Sequence, residues 1–104
     1  MQFLCDFRVH HEDMKPEQLW DLWEQEADAS IPAVKAGKLQ AWKVVGQRRV
    51  IAIVDADGHD ELDRLIMAGL PMAHVLELAE VTPVRSYEAF AADVKARWKA
   101  EQLE

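Results

Sequence analysis

The chain has 104 residues, half of them apolar, which is enough for one hydrophobic core and too few for two. Nineteen acidic against twelve basic residues leave a formal charge of -7 with Lys and Arg unclustered, which argues against a nucleic-acid partner, whose phosphates need a concentrated positive face. A lone cysteine, Cys5, excludes an intramolecular disulfide and a CxxC metal knuckle. No apolar run resembles a membrane span or the core of a secretory signal, so the chain is expected in the reducing cytoplasm, away from membranes.

In chain order, Phe3, Cys5, Phe7 and Val9 alternate with Gln2, Leu4, Asp6 and Arg8, the period of a half-buried strand in which Cys5 serves as a small buried hydrophobe. Pro16 suits the first turn of a helix, where its missing N–H would be unpaired in any case. Leu19, Trp20, Trp23, Ala27 and Ile31 then recur at helical spacing, which predicts a stripe packed on a sheet. Pro32 predicts a kink or a fresh turn capped by Ser30, and Gly37 a stop. Residues 39–45 and 49–56 are β-rich runs around Gly46, Gln47 and Arg48, the spacing of an antiparallel hairpin. Asp60 and Glu61 open a second helix with Leu62, Leu65 and Ile66 inward and Gly69 at its end. The run VLELAEVTPV gives a fourth strand, with Leu76 and Leu78 facing a core.

The order β-α-β-β-α-β is that of an α+β ferredoxin-like domain: a four-stranded antiparallel sheet with both helices on one face. Its other face is left uncovered, and a sheet carrying Trp42, Ile51, Ile53 and further apolar groups on either side cannot readily leave both faces wet, so face-to-face pairing with a second copy into a dimeric α+β barrel is expected. A single domain over residues 1–104 is expected, with a core to residue 83 and an additional terminal helix over 86–102. Ser86 would cap that helix, and its apolar face, Tyr87, Phe90, Val94 and Trp98, must dock on its own domain or on a neighbour.

Over residues 1 to about 83 the chain resembles the muconolactone delta-isomerase family. The resemblance rests on Asp13-Met14 before the first helix, Glu26 upon it, Gly37-Lys38, Trp42-Lys43 followed by VVG, IVDA at 53–56, HDEL at 59–62, GLP at 69–71 and VTP at 81–83. It implies the dimeric barrel, higher assemblies of dimers, and a cofactor-independent isomerase of aromatic catabolism. Such an enzyme moves a ring double bond of a small, carboxylated unsaturated lactone by a 1,3-proton shift. The chain departs from the family at Asp6, where a basic residue is usual, at RRVIAIV, where strand 3 usually holds a tyrosine, at LPMAHV in place of LPLFPY, and in its terminal helix. A non-catalytic ligand-binding or assembly module, or another cofactor-free oxygenase or lyase in the same barrel, are the alternative readings.

A proton shift needs a base, a route for the proton's return and a cation for the carboxylate arm. Glu26 matches the family glutamate, and burial under an apolar sheet would raise its pKa into a useful range; its ordinary reading is a solvated helix residue. His74, entering strand 4, is a candidate proton shuttle or simply a loop histidine. Arg8 and Lys43 are candidate anion anchors, and Trp42 a pocket wall or a core residue. His10, His11, Glu12 and Asp13 invite a metal reading, but adjacent side chains on an extended segment diverge and no third spaced ligand is evident, so no metal is expected. Arg48 and Arg49 read as solubility charges at a hairpin.

Overall fold

Residues 1–97 are described by a computed structural model. The order is β1 (Gln2–Val9), α1 (Pro16–Lys35), β2 (Leu39–Lys43), β3 (Arg49–Asp55), α2 (His59–Arg64, continuing as a π-helical turn over Leu65–Gly69), β4 (Leu76–Val84) and α3 (Tyr87–Lys95). The strands form one antiparallel sheet in the order β2-β3-β1-β4, the ferredoxin-like arrangement anticipated from the element order.

β1 is central, hydrogen-bonded to β3 on one side and β4 on the other, so its period of two divides the sheet into two faces. Phe3, Cys5, Phe7 and Val9 are all buried on the helix side; the first three share a core with Ala52, Val54 and Leu62. Burial also pushes the Cys5 thiol above its ordinary pKa. A bulge in β4 opposite Asp6 and Phe7 shifts the register by one residue, from Asp6 opposite Glu80 to Phe7 opposite Leu78 and Arg8 opposite Glu77.

The opposite face differs from the alternating sequence picture at Asp6, which is 7% exposed. Arg49 donates to both its oxygens, Nε to Oδ1 at 2.9 Å and Nη2 to Oδ2 at 2.8 Å. Arg49 is therefore the counter-ion of a carboxylate at the sheet centre, not the hairpin solubility charge its position suggested. This bidentate pair is flanked by the half-buried Leu4, Ile51 and Ile53.

α1 also departs from expectation. It runs unbroken through Pro32 to Lys35, so Pro32 starts no new turn, and Ser30 does not cap one. Its C-terminus is closed by Ala36, Gly37 and Lys38, whose N–H groups donate to the Pro32, Val34 and Ala33 carbonyls, with Gly37 at φ +77°. The stripe it turns inward is Leu19, Leu22, Trp23, Glu26, Ser30 and Ala33, whereas Trp20, Ala27 and Ile31 are exposed. The apolar positions read from the sequence straddle two flanks of the helix, and a carboxylate and a hydroxyl sit on the inner one.

The β2–β3 hairpin forms as anticipated, although β2 stops at Lys43, two residues short, because Val44 and Gln47 take turn hydrogen bonds around Gly46 (φ +74°). α3 begins at Ser86, whose Oγ accepts from the Ala89 N–H at 3.1 Å. Its Tyr87, Phe90 and Val94 are exposed, and the Arg85 guanidinium lies 5.4 Å from the Phe90 ring centre while donating to Asp93 at 2.7 Å. Trp98 and the rest of the expected 86–102 helix lie outside the described residues.

Phe3→Ala should cost about 3–5 kcal/mol in urea unfolding, since it empties a fully formed core site between sheet and α2. The guanidinium of Arg49 holds the Asp6 carboxyl below its ordinary value of 3.8. A carboxyl with a lowered folded-state pKa contributes stability above its unfolded value that is lost as pH falls through the folded one. The stability gap between the native chain and Asp6→Asn should thus be constant above about pH 5 and shrink in stronger acid. An unchanged gap at about pH 3 would show that the pair carries no pH-linked stability.

Candidate functional site

The half-turned stripe of α1 brings Glu26 against the segment between α2 and β4. Its Oε1 accepts from the Met72 backbone N–H and its Oε2 from the Ser30 hydroxyl, both at 3.4 Å. Met72 is almost fully buried and packs with Val9 and Leu19, joined by Leu22 and Trp23, so the carboxylate sits beside an apolar cluster. Both hydrogen bonds are long, and among the described residues no cation lies among its hydrogen-bond or ion-pair partners. Burial accordingly raises the Glu26 pKa above 4.5, with the Met72 amide and Ser30 opposing only in part.

One turn nearer the start of α1 lies a groove of about 690 Å³. The β1–α1 connection forms one wall through His11, Glu12 and Met14; the first turns of α1 supply Leu19, Trp20 and Trp23. The β2–β3 hairpin closes it with Lys43, Gly46, Gln47 and Arg48. The connection is held in place by its backbone: the Val9 N–H donates to the Arg48 carbonyl at 3.0 Å and the His10 N–H to the Val75 carbonyl at 2.8 Å. His10 turns away from His11 and pairs with Glu77 (Nε2 to Oε1, 2.6 Å) and Glu12 (Nδ1 to Oε1, 3.4 Å), which raise its pKa. The adjacent histidines thus diverge, and each serves a different neighbourhood.

The five residues singled out from the sequence are distributed over three places. Lys43 shares the helix-side register of Phe7 and Val50 and enters the groove, where its Nζ donates to the Val44 carbonyl at 2.8 Å. Glu26 lies beyond Trp23 on the same helix, about 4.5 Å further along its axis. His74 is exposed in the turn before β4, two residues after the Met72 amide that touches Glu26. Arg8 and Trp42 share the other sheet face with Asp6, Arg8 reaching Asp6 at 4.0 Å and Trp42 56% exposed. Glu26, Lys43 and the turn bearing His74 are thus on the helix side, separated by the sheet from Arg8 and Trp42.

Sequence reasoning missed the groove residues His11, Trp20 and Arg48 as a group. They come from three elements, and no local spacing joins them; only the docking of the hairpin beside the start of α1 does.

A carboxyl whose folded-state pKa is raised contributes stability that is complete below the unfolded value and is lost as pH rises through the folded one. Glu26→Gln removes that loss and retains a carbonyl oxygen for the Met72 amide. The variant should therefore gain stability relative to the native chain between about pH 4 and pH 8, read by urea titration at both. A difference that does not change with pH would mean that Glu26 is solvated.

Comparison with known proteins places this geometry in context. A sequence model described as muconolactone delta-isomerase matches residues 1–89. A crystal structure of muconolactone isomerase is similar with a TM-score of 0.69 at 20% identity, covering 83% of this chain and 90% of that one, a likeness of fold. No curated protein sequence matches. With the family pattern spanning most of its length and the same sheet topology beneath it, the chain belongs to the muconolactone delta-isomerase family.

Proposed function

We propose that the chain is a cofactor-independent isomerase that moves a double bond in a small, carboxylated unsaturated lactone by 1,3-proton transfer. The observation that carries this reading is Glu26: a half-buried carboxylate without a cationic partner among the described residues, its pKa raised by burial, on the sheet-facing side of α1. In the proposed reaction the Glu26 carboxylate removes the γ-proton of the lactone and the electron pair moves toward the carbonyl oxygen, giving a dienolate. The protonated Glu26 then returns a proton at the α-carbon, so no proton is gained or lost. A base with a raised pKa suits both halves, since it accepts the proton and is acidic enough to return it. Lys43 would hold the carboxylate arm as a point charge from the hairpin wall. His74 remains a candidate shuttle for the returning proton, because its turn also supplies the Met72 amide beside Glu26.

The same reading includes a homodimer at minimum. Among the described residues no helix lies over the sheet face carrying Leu4, Trp42, Ile51 and Ile53, and a second copy pairing sheet to sheet would bury it, with the Asp6–Arg49 pair near the centre of the contact. Arg8 and Trp42 then belong to that contact rather than to the lactone.

Proton exchange between muconolactone and deuterated water, followed by NMR, tests the catalytic assignment. Glu26→Gln should slow exchange by about 10²–10⁴-fold, the usual contribution of a general base. Lys43→Met should raise KM while leaving kcat close to native, the signature of lost uniform binding. Exchange by Glu26→Gln at the native rate would remove Glu26 from the reaction.

A further inference from the structure

The groove between α1 and the β2–β3 hairpin has a composition that neither the fold nor the proton shift requires. Although the chain carries a net charge of -7, the ionisable side chains lining the groove are His11, Lys43 and Arg48 against Glu12 alone, and Glu12 is engaged by His10. Arg48 has no ion-pair partner among the described residues, so its fork of donors is available for a carboxylate. A second recess, of about 500 Å³ between α2 and β4, is lined by Asp60 and Asp63 with His59, a poorer charge set for an anion. On the open sheet face Arg49 is committed to Asp6 and Arg8 approaches it, so of these three surfaces the groove is the one that combines a recess with cations left available among the described residues.

Two indoles complete it. Trp20 and Trp23 are three residues apart on α1, neighbours on the helix surface, and both line the groove. Trp23 is backed by the Val9, Leu19 and Met72 cluster, while Trp20 is 72% exposed. A fixed aromatic wall beside a free one, next to guanidinium and ammonium groups, is complementary to a planar apolar body bearing a negative charge. At about 690 Å³ the groove holds far more than a lone lactone ring.

We propose that this groove binds an aryl carboxylate or a comparably extended planar organic anion, its carboxylate held by Arg48 and Lys43 and its ring against Trp20 and Trp23. This names the substrate class of the isomerase reading and rests on it for catalysis, though not for binding: the lactone would carry an aromatic or extended conjugated substituent.

The test uses the full-length protein and 2-naphthoate as probe, with calorimetry for affinity and the indole N–H resonances of ¹⁵N-labelled protein for location. The expected result is saturable binding that shifts the Trp20 and Trp23 indoles, weakened about tenfold or more in Arg48→Gln and in Trp20→Ala. The neutral 2-naphthylmethanol and the ring-free acetate should each bind at least about tenfold more weakly than naphthoate, and Arg64→Gln should bind as the native chain does. Absence of saturable binding, equal affinity for the neutral alcohol, unchanged affinity in Arg48→Gln, or a response confined to the Trp42 indole would each overturn the assignment. Measurements on the native chain separate the two readings. Naphthoate binding without proton exchange into muconolactone would leave the groove and remove the muconolactone isomerase, and exchange without naphthoate binding would do the reverse.

Discussion

β1 is hydrogen-bonded on both edges, and the rest of the molecule inherits its two-residue period. A one-residue slip against β3 or β4 would carry Phe3, Cys5, Phe7 and Val9 to the face without helices and bring Asp6 into the core. The Asp6–Arg49 pair makes that slip still more costly, because Asp6 finds its bidentate partner only in the observed register, with Arg49 opposite Arg8. Register thereby fixes which face receives α1, and with it the position of every group in the candidate site.

α1 carries a tension between stability and chemistry. A residue such as Leu at position 26 would extend the apolar stripe formed by Leu19, Leu22 and Trp23, whereas the chain has a carboxylate there with two long hydrogen bonds. Burying such a group without a cation costs free energy, and the cost appears as a raised pKa. Sites that retain this kind of burden are commonly those in which the perturbed group performs proton chemistry. The Met72 amide has a double part: its side chain anchors the apolar cluster that desolvates Glu26, and its N–H limits how far the carboxylate is driven toward its neutral form.

The surfaces left uncovered are of different kinds. The open sheet face sets Leu4, Trp42, Ile51 and Ile53 around a neutralised ion pair, with Gln40, Glu80 and Thr82 in register beside them, and is suited to a flat partner. The groove beside the hairpin is concave, aromatic and cationic, suited to a small anion. α3 presents Tyr87, Phe90 and Val94 outward and braces itself with the Arg85–Asp93 pair rather than by packing on the sheet. That helix follows the last strand, and the family pattern reaches only its first residues.

The elements themselves were legible in the sequence because their causes are local. Alternation at Phe3 to Val9, the proline at the first turn of α1, Gly37 and Gly46 at positive φ, and Ser86 capping α3 all act within a few residues. The ordered motifs from Asp13-Met14 to the VTP of β4 were sufficient to indicate the family and hence the sheet topology. The flank of α1 that meets the core was not legible: Trp20 and Ile31 fit a helical period as well as Leu22 and Ala33 do, and contact with Met72 and Val9 decides between them. Arg49 looked like one of two hairpin charges until β3 set it against β1, where it neutralises Asp6. Arg48, one residue earlier at the end of the hairpin turn, reached the groove. Adjacent residues with the same charge thus acquired unrelated roles, because one closes the hairpin turn and the other opens the strand, and only the assembled sheet determines what each meets.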